Sequence, residues 1–383
     1  MPATQLHSVK EGKASLYVPS QSSVDPFHCD VFYNPAMEFN RSVSSLAFGE
    51  SLALLGEKKA LVVDGLCSLG ARGIRYAVEN KVVGKVYFVD ANPAAIKALK
   101  KNISANKLAK KAVAVEQDLN KFFVNSDEYF DFIEIDPFGS PVYFLENAVK
   151  RLKKRAVLSV TATDLANLCG ARFSPCVRRY QSRPLNNEAC HENALRILVG
   201  KIARVLMEND FGAVPMFSFY RRHYAKAFIL CEKGAKQADA SLENISFVLY
   251  CQKCLWRSKA KRVSQNCPEC NNSLDYAGPL WAGRLQDQHF LAAMSKENGR
   301  RKYADREEIS KLLGLAAGED SFPPYFFDLH YTSGKLGVQA PSTESVLSAL
   351  KKRGFAAVRT HYCPTGIKTD APLGAVTKAV SGK

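Results

Sequence analysis

Asp136-Pro137-Phe138-Gly139-Ser140-Pro141 closes an apolar run, Tyr129-Phe130-Asp131-Phe132-Ile133-Glu134-Ile135. An acidic residue, a proline and an aromatic at the end of a strand can hold the exocyclic amine of a flat base. The carboxylate accepts one N–H bond and the Pro137 carbonyl another, and the proline nitrogen has no hydrogen to compete. The Phe138 face can stack on the ring. An amine held in this way presents its lone pair to an electrophile. Asp-Pro and Gly-Ser are also turn formers, so taken alone the segment reads equally well as a tight turn after a strand.

Two more acidic residues close apolar runs upstream. Asp64 ends Ala60-Leu61-Val62-Val63, and Asp90 ends Val86-Tyr87-Phe88-Val89. In doubly wound sheets, ligands sit outside the carboxyl ends of the strands. Asp64 feeds a turn with Gly65, Gly70 and Gly73, which lets the backbone bend sharply beside a ligand. The spacing is not the Gly-x-Gly-x-x-Gly of dinucleotide sites, which argues against a pyrophosphate. A carboxylate at Asp90 suits both hydroxyls of a ribose. Asp118, past the third strand, suits an adenine amine, with the Leu119 backbone beside it. Each carboxylate alone reads as a helix cap or a solvated loop charge. Four at matching positions favour an adenosyl pocket without phosphates, which S-adenosylmethionine fits.

A second chemistry lies further on. Cys251-x-x-Cys254 and Cys267-x-x-Cys270 form paired knuckles, and the second has turn-forming Pro268 and Asn271. Four thiolates spaced in this way bind zinc tetrahedrally as a closed, structural site. Lys253, Trp256, Arg257, Lys259, Lys261 and Arg262 lie among them. They read either as a nucleic-acid contact or as a solvated basic face.

Alternating strands and helices must position the first set. Strands are predicted over 60–64, 85–90, 112–116, 130–136 and 155–161, and helices over 73–80 and 92–106, the latter capped by Asn92 with Pro93 at its first position. The apolar spacing from Ala189 to Leu206 predicts a long helix over 187–209, followed by a β-hairpin over 211–220 and 224–231. This alternation implies a doubly wound, mostly parallel α/β sheet. Beyond about residue 241 the rhythm gives way to charged, Cys-rich, loop-rich sequence. The stretch 234–239 reads as a linker between two domains.

The chain has 383 residues, enough for two or three domains, and 46% of them are hydrophobic. Lys+Arg number 53 against 37 Asp+Glu, a formal charge of +16, which favours a polyanionic partner. No apolar run approaches the length of a membrane span, and residues 1–11 have no signal-peptide core. The cysteine count is 11, and the seven outside the knuckles (Cys29, Cys67, Cys169, Cys176, Cys190, Cys231 and Cys363) are scattered. That pattern fits a reducing compartment with one metal site. The expectation is a cytoplasmic monomer with no membrane association and no obligate protein partner.

Ordered blocks along nearly the whole chain carry a resemblance. They include Glu11-Gly12-Lys13-Ala14, Phe32-Tyr33-Asn34-Pro35, Asn40-Arg41, Gly70-Ala71-Arg72-Gly73-Ile74-Arg75 and Asp136-Pro137-Phe138-Gly139-Ser140-Pro141. Further on come Thr163-Asp164-Leu165-Ala166, Cys169-Gly170, His191-Glu192, the four cysteines, Gly278-Pro279-Leu280-Trp281 and Arg359-Thr360-His361. The sequence resembles the tRNA guanosine-26 dimethyltransferases, which use S-adenosylmethionine to modify the exocyclic N2 amine of one guanosine. It departs from their pattern at Ser42, where Asp is usual, and at Leu69 and Ala71.

The resemblance implies a Rossmann-like methyltransferase domain over 1–240, including an N-terminal extension. A smaller α+β, tRNA-binding domain would follow over 241–383, with a four-cysteine zinc ribbon at 251–270. It also implies that Arg41, Arg72, Asp90, Asp118 and Leu119 contact the cofactor, Arg41 and Arg72 taking its carboxylate; Asp64, at the end of the first strand, is a further cofactor-binding candidate. Phe32 and Phe138 would sandwich the guanine, with Asp136 as catalytic carboxylate. The base must leave its stack to enter. Two other readings remain: a methyltransferase acting on an adenine amine in nucleic acid, and a non-catalytic tRNA-binding zinc-ribbon protein. Asp164 reads as a pocket residue or a helix cap, His191 as a structural histidine, and the Arg300-Arg301-Lys302 run as part of an RNA face.

Overall fold

The computed structural model describes residues 6–20 and 30–382; Cys29 lies outside them. A hairpin of β1 (Leu6–Glu11) and β2 (Ala14–Pro19) leads, after a short 3-10 turn, into α1 (Glu38–Leu55). Then β3 (Ala60–Gly65), α2 (Ala71–Glu79), β4 (Val83–Asp90), α3 (Pro93–Ala105), β5 (Ala112–Glu116), α4 (Leu119–Asn125) and β6 (Phe130–Ile135) alternate. Next come α5 (Val142–Val149), β7 (Leu152–Ala162), the short α6 (Leu165–Leu168) and α7 (Phe173–Tyr180), and the long α8 (Cys190–Glu208). A hairpin of β8 (Phe211–Arg221) and β9 (Tyr224–Lys233) completes the main sheet.

The sheet order is β5-β4-β3-β6-β7-β9-β8. The strands from β3 to β7 pair in parallel, and β9 inserts antiparallel between β7 and β8. Both faces are covered, which is why the central strands read as continuous apolar runs. Val62, Phe88 and Phe132 pack with α1, α2 and α3. Their neighbours Val63, Val89 and Ile133 face the other way, toward α4, α5 and α8. The predicted cap of α3 is present: the Asn92 side chain accepts from the Ala94 N–H at 2.9 Å. The long helix starts at Cys190 rather than at 187. Asn187 folds an Asx turn first, accepting from Ala189 N through its side chain (3.1 Å) and from Cys190 N through its carbonyl (3.1 Å).

The stretch expected to be a linker is instead structured. Residues from 235 form α9 (Ala235–Leu242), whose Ser241 hydroxyl accepts from Ala213 N in β8 at 2.8 Å. Beyond it β10 (Ile245–Tyr250), β11 (Arg257–Ala260) and β12 (Asp275–Trp281) form a three-stranded antiparallel sheet. Helix α8 lies directly on β12: a Cβ at Gly200 would come 2.8 Å from the Trp281 nitrogen. Helices α10 (Gln288–Arg300) and α11 (Arg306–Glu319) fold back into the same apolar cluster as α1 and α2. The chain ends in β13 (Phe327–Asp328), α12 (Leu329–Leu336), α13 (Thr343–Lys352), β14 (Ala357–Arg359), β15 (Gly366–Thr369) and α14 (Leu373–Ser381), which enclose a cluster of their own. Buried Glu192 in α8 ties this last unit down, accepting from Lys368 at 2.6 Å and Arg196 at 2.9 Å. No helix among the described residues is long and apolar enough to cross a membrane.

Candidate active site and cysteine centre

The carboxyl ends of β3, β4 and β6 open on one cavity of about 820 Å³. Phe32, Arg41, Asp64, Arg72, Asp90, Asp136, Pro137 and Phe138 all line it. The turn after β3 shapes its floor. Leu66, Ser68 and Gly70 all have positive φ, and the turn is pinned where Ser68 N donates to Asp90 Oδ2 (2.7 Å) and the Ser68 hydroxyl to the Phe32 carbonyl (2.7 Å). Gly73 cannot carry a side chain, since a Cβ there would meet both Asp64 and Phe88 at 2.6 Å.

Asp90 accepts from Ser68 N and, through its other oxygen, from Asn92 N at 2.9 Å. Each oxygen keeps a further lone pair for a ligand hydroxyl. Asp64 sits deeper and accepts from Gly73 N at 2.8 Å. Burial, with the carboxylates of Glu134 and Asp136 adding to it against Arg72, pushes its pKa up to about 7. Asp118 and Leu119 are not brought to the cavity wall. Asp118 caps α4, accepting from Lys121 N at 3.0 Å, and Leu119 is buried under Gly65.

Both arginines are already engaged. Arg41 Nε donates to Glu11 at 2.8 Å, its Nη2 pairs with the same carboxylate, and Nη1 and Nη2 both reach the Asn34 carbonyl at 3.2 Å. Tyr33 donates to Glu11 as well, at 2.5 Å. One of the five Arg41 N–H donors is left over. Arg72 donates to Asn40 (2.8 Å) and Ser44 (2.7 Å), and its Nη2 pairs with Asp136.

Behind Asp136 lies a buried ionic network for which the sequence reading made no allowance. Glu134, fully buried in β6, accepts from Tyr76 at 2.8 Å, pairs with Lys226 of β9, and lies 3.8 Å from Arg72. Lys226 also donates to Thr161 at 3.0 Å. The available signal was a charge in the middle of each apolar strand, Glu134 in Phe-Ile-Glu-Ile and Lys226 in Tyr-Ala-Lys-Ala-Phe. Burial pushes the Asp136 pKa up, but Arg72, Lys226 and a hydrogen bond from Thr161 outweigh it and hold the carboxyl below its usual range.

The Asp136–Pro137–Phe138 loop is held from behind. Gly139 N donates to the Thr163 hydroxyl at 2.6 Å, and Thr163 N donates back to the Gly139 carbonyl at 3.0 Å. Ser140 donates to Tyr180, which donates to Asp164 at 2.6 Å. Asp164 therefore braces the loop; its side chain makes no cap bond to α6. Phe32 and Phe138 touch edge to face, with ring centroids 4.5 Å apart. Phe138 is 67% exposed. His223, in the β8–β9 turn, also lines the cavity and went unnoticed in the sequence, because a hairpin tip carries no sign of what it overhangs.

The four cysteines of the knuckles converge. Cys251 and Cys270 sulfurs are 3.5 Å apart, Cys254 and Cys267 3.6 Å, and all four lie within 4.8 Å of one another. A tetrahedral zinc with Zn–S near 2.3 Å requires sulfur separations of about 3.8 Å, so the set fits that ion. Of the basic residues nearby, Lys253, Lys259 and Arg262 are exposed, but Arg257 is enclosed. Arg257 is buried, pairing with Glu188 at 2.8 Å and lying 4.0 Å from the Phe327 ring centre. Arg301 is similarly committed, to Glu297 at 2.7 Å and Glu79 at 3.5 Å.

Residues 12–381 match the family described as N2,N2-dimethylguanosine tRNA methyltransferase. The chain is 38% identical over 378 residues to a tRNA (guanine(26)-N(2))-dimethyltransferase of Methanothermobacter thermautotrophicus, covering 98% of each chain. It is 34% identical to that of Thermococcus kodakarensis, covering 98% of this chain and 99% of that one. Among solved structures, Trm1 from Pyrococcus horikoshii in complex with S-adenosyl-L-methionine superposes with a TM-score of 0.88 at 34% identity, covering 98% of this chain and 100% of that one.

Proposed function

The chain belongs to the N2,N2-dimethylguanosine tRNA methyltransferase family, and from that premise we propose how its residues share out the work. It transfers methyl groups from S-adenosylmethionine to the exocyclic N2 amine of guanosine 26 in tRNA. One observation carries the assignment of residues: the Asp136–Pro137–Phe138 loop and the Asp90 carboxylate open on the same cavity.

The cavity suits the cofactor's chemistry. Asp90 would take the ribose hydroxyls, the remaining Arg41 donor the methionine carboxylate, and the Leu66–Leu69 turn the adenosine edge. The bound cofactor supplies an electrophilic sulfonium methyl. Asp136 and the Pro137 carbonyl would hold the two amine protons of the base and turn its nitrogen lone pair toward that methyl. Positioning and fixed charge then carry the catalysis. Arg72, paired with Asp136, keeps the carboxylate ionised and fixes its direction. A carboxylate held below its usual pKa is a weak base, but it suffices here. A nitrogen that has just gained a methyl is cationic and strongly acidic, so Asp136 can take its proton. Phe138 must swing off Phe32 to admit the guanine between them, and its exposure to solvent leaves room for that movement.

The four cysteines hold a structural zinc. We place the chemistry in residues 1–240 and tRNA docking in residues 241–383, and read the protein as a cytoplasmic monomer. The net charge of +16 supports the tRNA partner in that reading. Mass spectrometry of nucleosides from tRNA incubated with protein and cofactor tests it. N2-methylguanosine and N2,N2-dimethylguanosine at position 26 are expected. A methylated adenosine instead, or tRNA binding with no product at all, would overturn it.

A further inference from the structure

A second group of metal-type side chains lies away from the ribbon. Cys169 follows α6 as its C-cap, Cys190 opens α8 and His191 comes next. The two sulfurs and an imidazole nitrogen lie within 4.8 Å of one another, and all three residues are half-buried. Among the described residues no fourth thiol, imidazole or carboxylate joins them. The His191 ring is stacked on Tyr220, with centroids 3.9 Å apart and planes 10° from parallel. Its nitrogens have no hydrogen-bond partner among the described residues, so the ring is oriented by packing while a donor atom stays free.

We propose that Cys169, Cys190 and His191 form a second metal site that takes one zinc-class divalent ion and leaves its fourth position open. Two thiolates and one imidazole are borderline-soft ligands, the class that selects zinc over magnesium or calcium. Zn–S near 2.3 Å and Zn–N near 2.0 Å require ligand atoms about 3.5–3.8 Å apart, so side-chain rotations of modest size close the set. Three protein ligands with an open fourth position distinguish this centre from the closed ribbon.

The place of the site in the fold gives it a purpose. Cys169 lies six residues beyond Thr163, whose backbone and hydroxyl hold Gly139 of the Asp136–Phe138 loop. An ion there would fasten the end of that support to the start of α8.

The test counts metal and does not depend on activity. Full-length reduced protein is stripped with a chelator, titrated with Cd²⁺, and read by native mass spectrometry and ¹¹³Cd NMR. Two ions per chain and two resonances are expected, one from four sulfurs and one from two sulfurs and a nitrogen. Cys169→Ser/Cys190→Ser should lose one ion and its resonance while the ribbon signal stays. Should that variant fail to fold, His191→Ala and the unaltered protein still decide: His191→Ala should weaken the second ion at least tenfold and leave the first unchanged. A single ion per chain in the unaltered reduced protein overturns the proposal, as does a second ion indifferent to all three substitutions. A Cys169–Cys190 disulfide that resists excess reductant would overturn it too.

Discussion

The ribbon and the catalytic cavity differ first in how far their parts lie apart along the chain. The outermost ribbon ligands, Cys251 and Cys270, are 19 positions apart. The cavity wall runs from Phe32 to His223. Each knuckle can fold nearly alone. Leu255 N and Asn271 N each donate to the first cysteine's carbonyl, at 2.9 Å in both, and both residues sit in the left-handed region. The cavity instead exists only once five parallel strands are in register. Its charges are held by partners from other strands and helices: Glu134 by Lys226 across β7, Arg72 by Asn40 of α1. A local site puts its ion at the centre of its stability. A dispersed site rests on the whole sheet and spends buried charge on aiming one carboxylate.

That contrast is sharpest if the metal is removed. Zinc contributes about 10 kcal/mol or more to the folding of isolated zinc modules, so Cys267→Ser is expected to abolish ribbon zinc and open residues 251–270 to protease. Binding of tRNA should weaken, whereas S-adenosylmethionine affinity, measured by calorimetry, should stay within about twofold, as expected for well-separated sites. Loss of cofactor binding in parallel would mean that the two regions are one cooperative unit.

The reciprocal break is inside the sheet. Lys226→Met leaves Glu134 buried with one cation fewer, and removing one partner of a buried pair costs about 3–5 kcal/mol. Denaturant unfolding should show a loss of that order, with zinc content unchanged. Lys226→Met/Glu134→Gln should recover part of it, because no uncompensated charge remains. If the single variant is as stable as the parent, the network does not hold the cavity.

Asp136→Asn asks what the network serves. The substitution preserves shape but replaces an ionised acceptor by an amide, which also presents a donor to the amine. The methyl-transfer rate in a single turnover should fall about 100- to 1000-fold, the scale for removing one charge-stabilising group from a reacting centre. Cofactor affinity should change little, since Asp90 and Arg41 remain. A rate within a few fold of the parent would remove Asp136 from the chemistry.

The same difference between near and far governs what could be read from the residues. The strands β3 to β7 announce themselves as β-branched runs, and Asn92-Pro93 marks a helix start, because the causes are local. The cysteine spacing and Asp-Pro-Phe are legible for the same reason. What was not legible depends on partners distant in sequence. Arg257 looks like an RNA-facing residue until Glu188 and the Phe327 ring enclose it. The stretch at 234–239 has linker composition, yet β8 gives it a surface to pack on as a helix. Arg41 and Arg72 are visible as cofactor candidates, but not their prior commitment to Glu11 and Asp136. Asp118 follows a strand as the other acids do, and its side chain caps the N-terminus of α4.

Asp64 offers the gentlest probe, and it acts on the dispersed region alone. Burial first, then the nearby carboxylates of Glu134 and Asp136, raise its pKa from 3.8 to about 7. For an acid raised in this way, the folded protein keeps a proton that the unfolded chain has already released. Stability is therefore fully present below the unfolded value near 4 and is lost as pH rises toward 7. Between pH 5 and 7 the loss should amount to about 2–3 kcal/mol, at roughly 1.4 kcal/mol per unit. Asp64→Asn retains an oxygen to accept from Gly73 N but cannot titrate, so its stability profile should be flatter across that range. The ribbon cysteines lie outside this network, so Cys267→Ser should leave the Asp64 contribution in place. A profile for Asp64→Asn that parallels the parent would assign the slope to other groups and leave Asp64 ionised throughout, with Arg72 outweighing its burial.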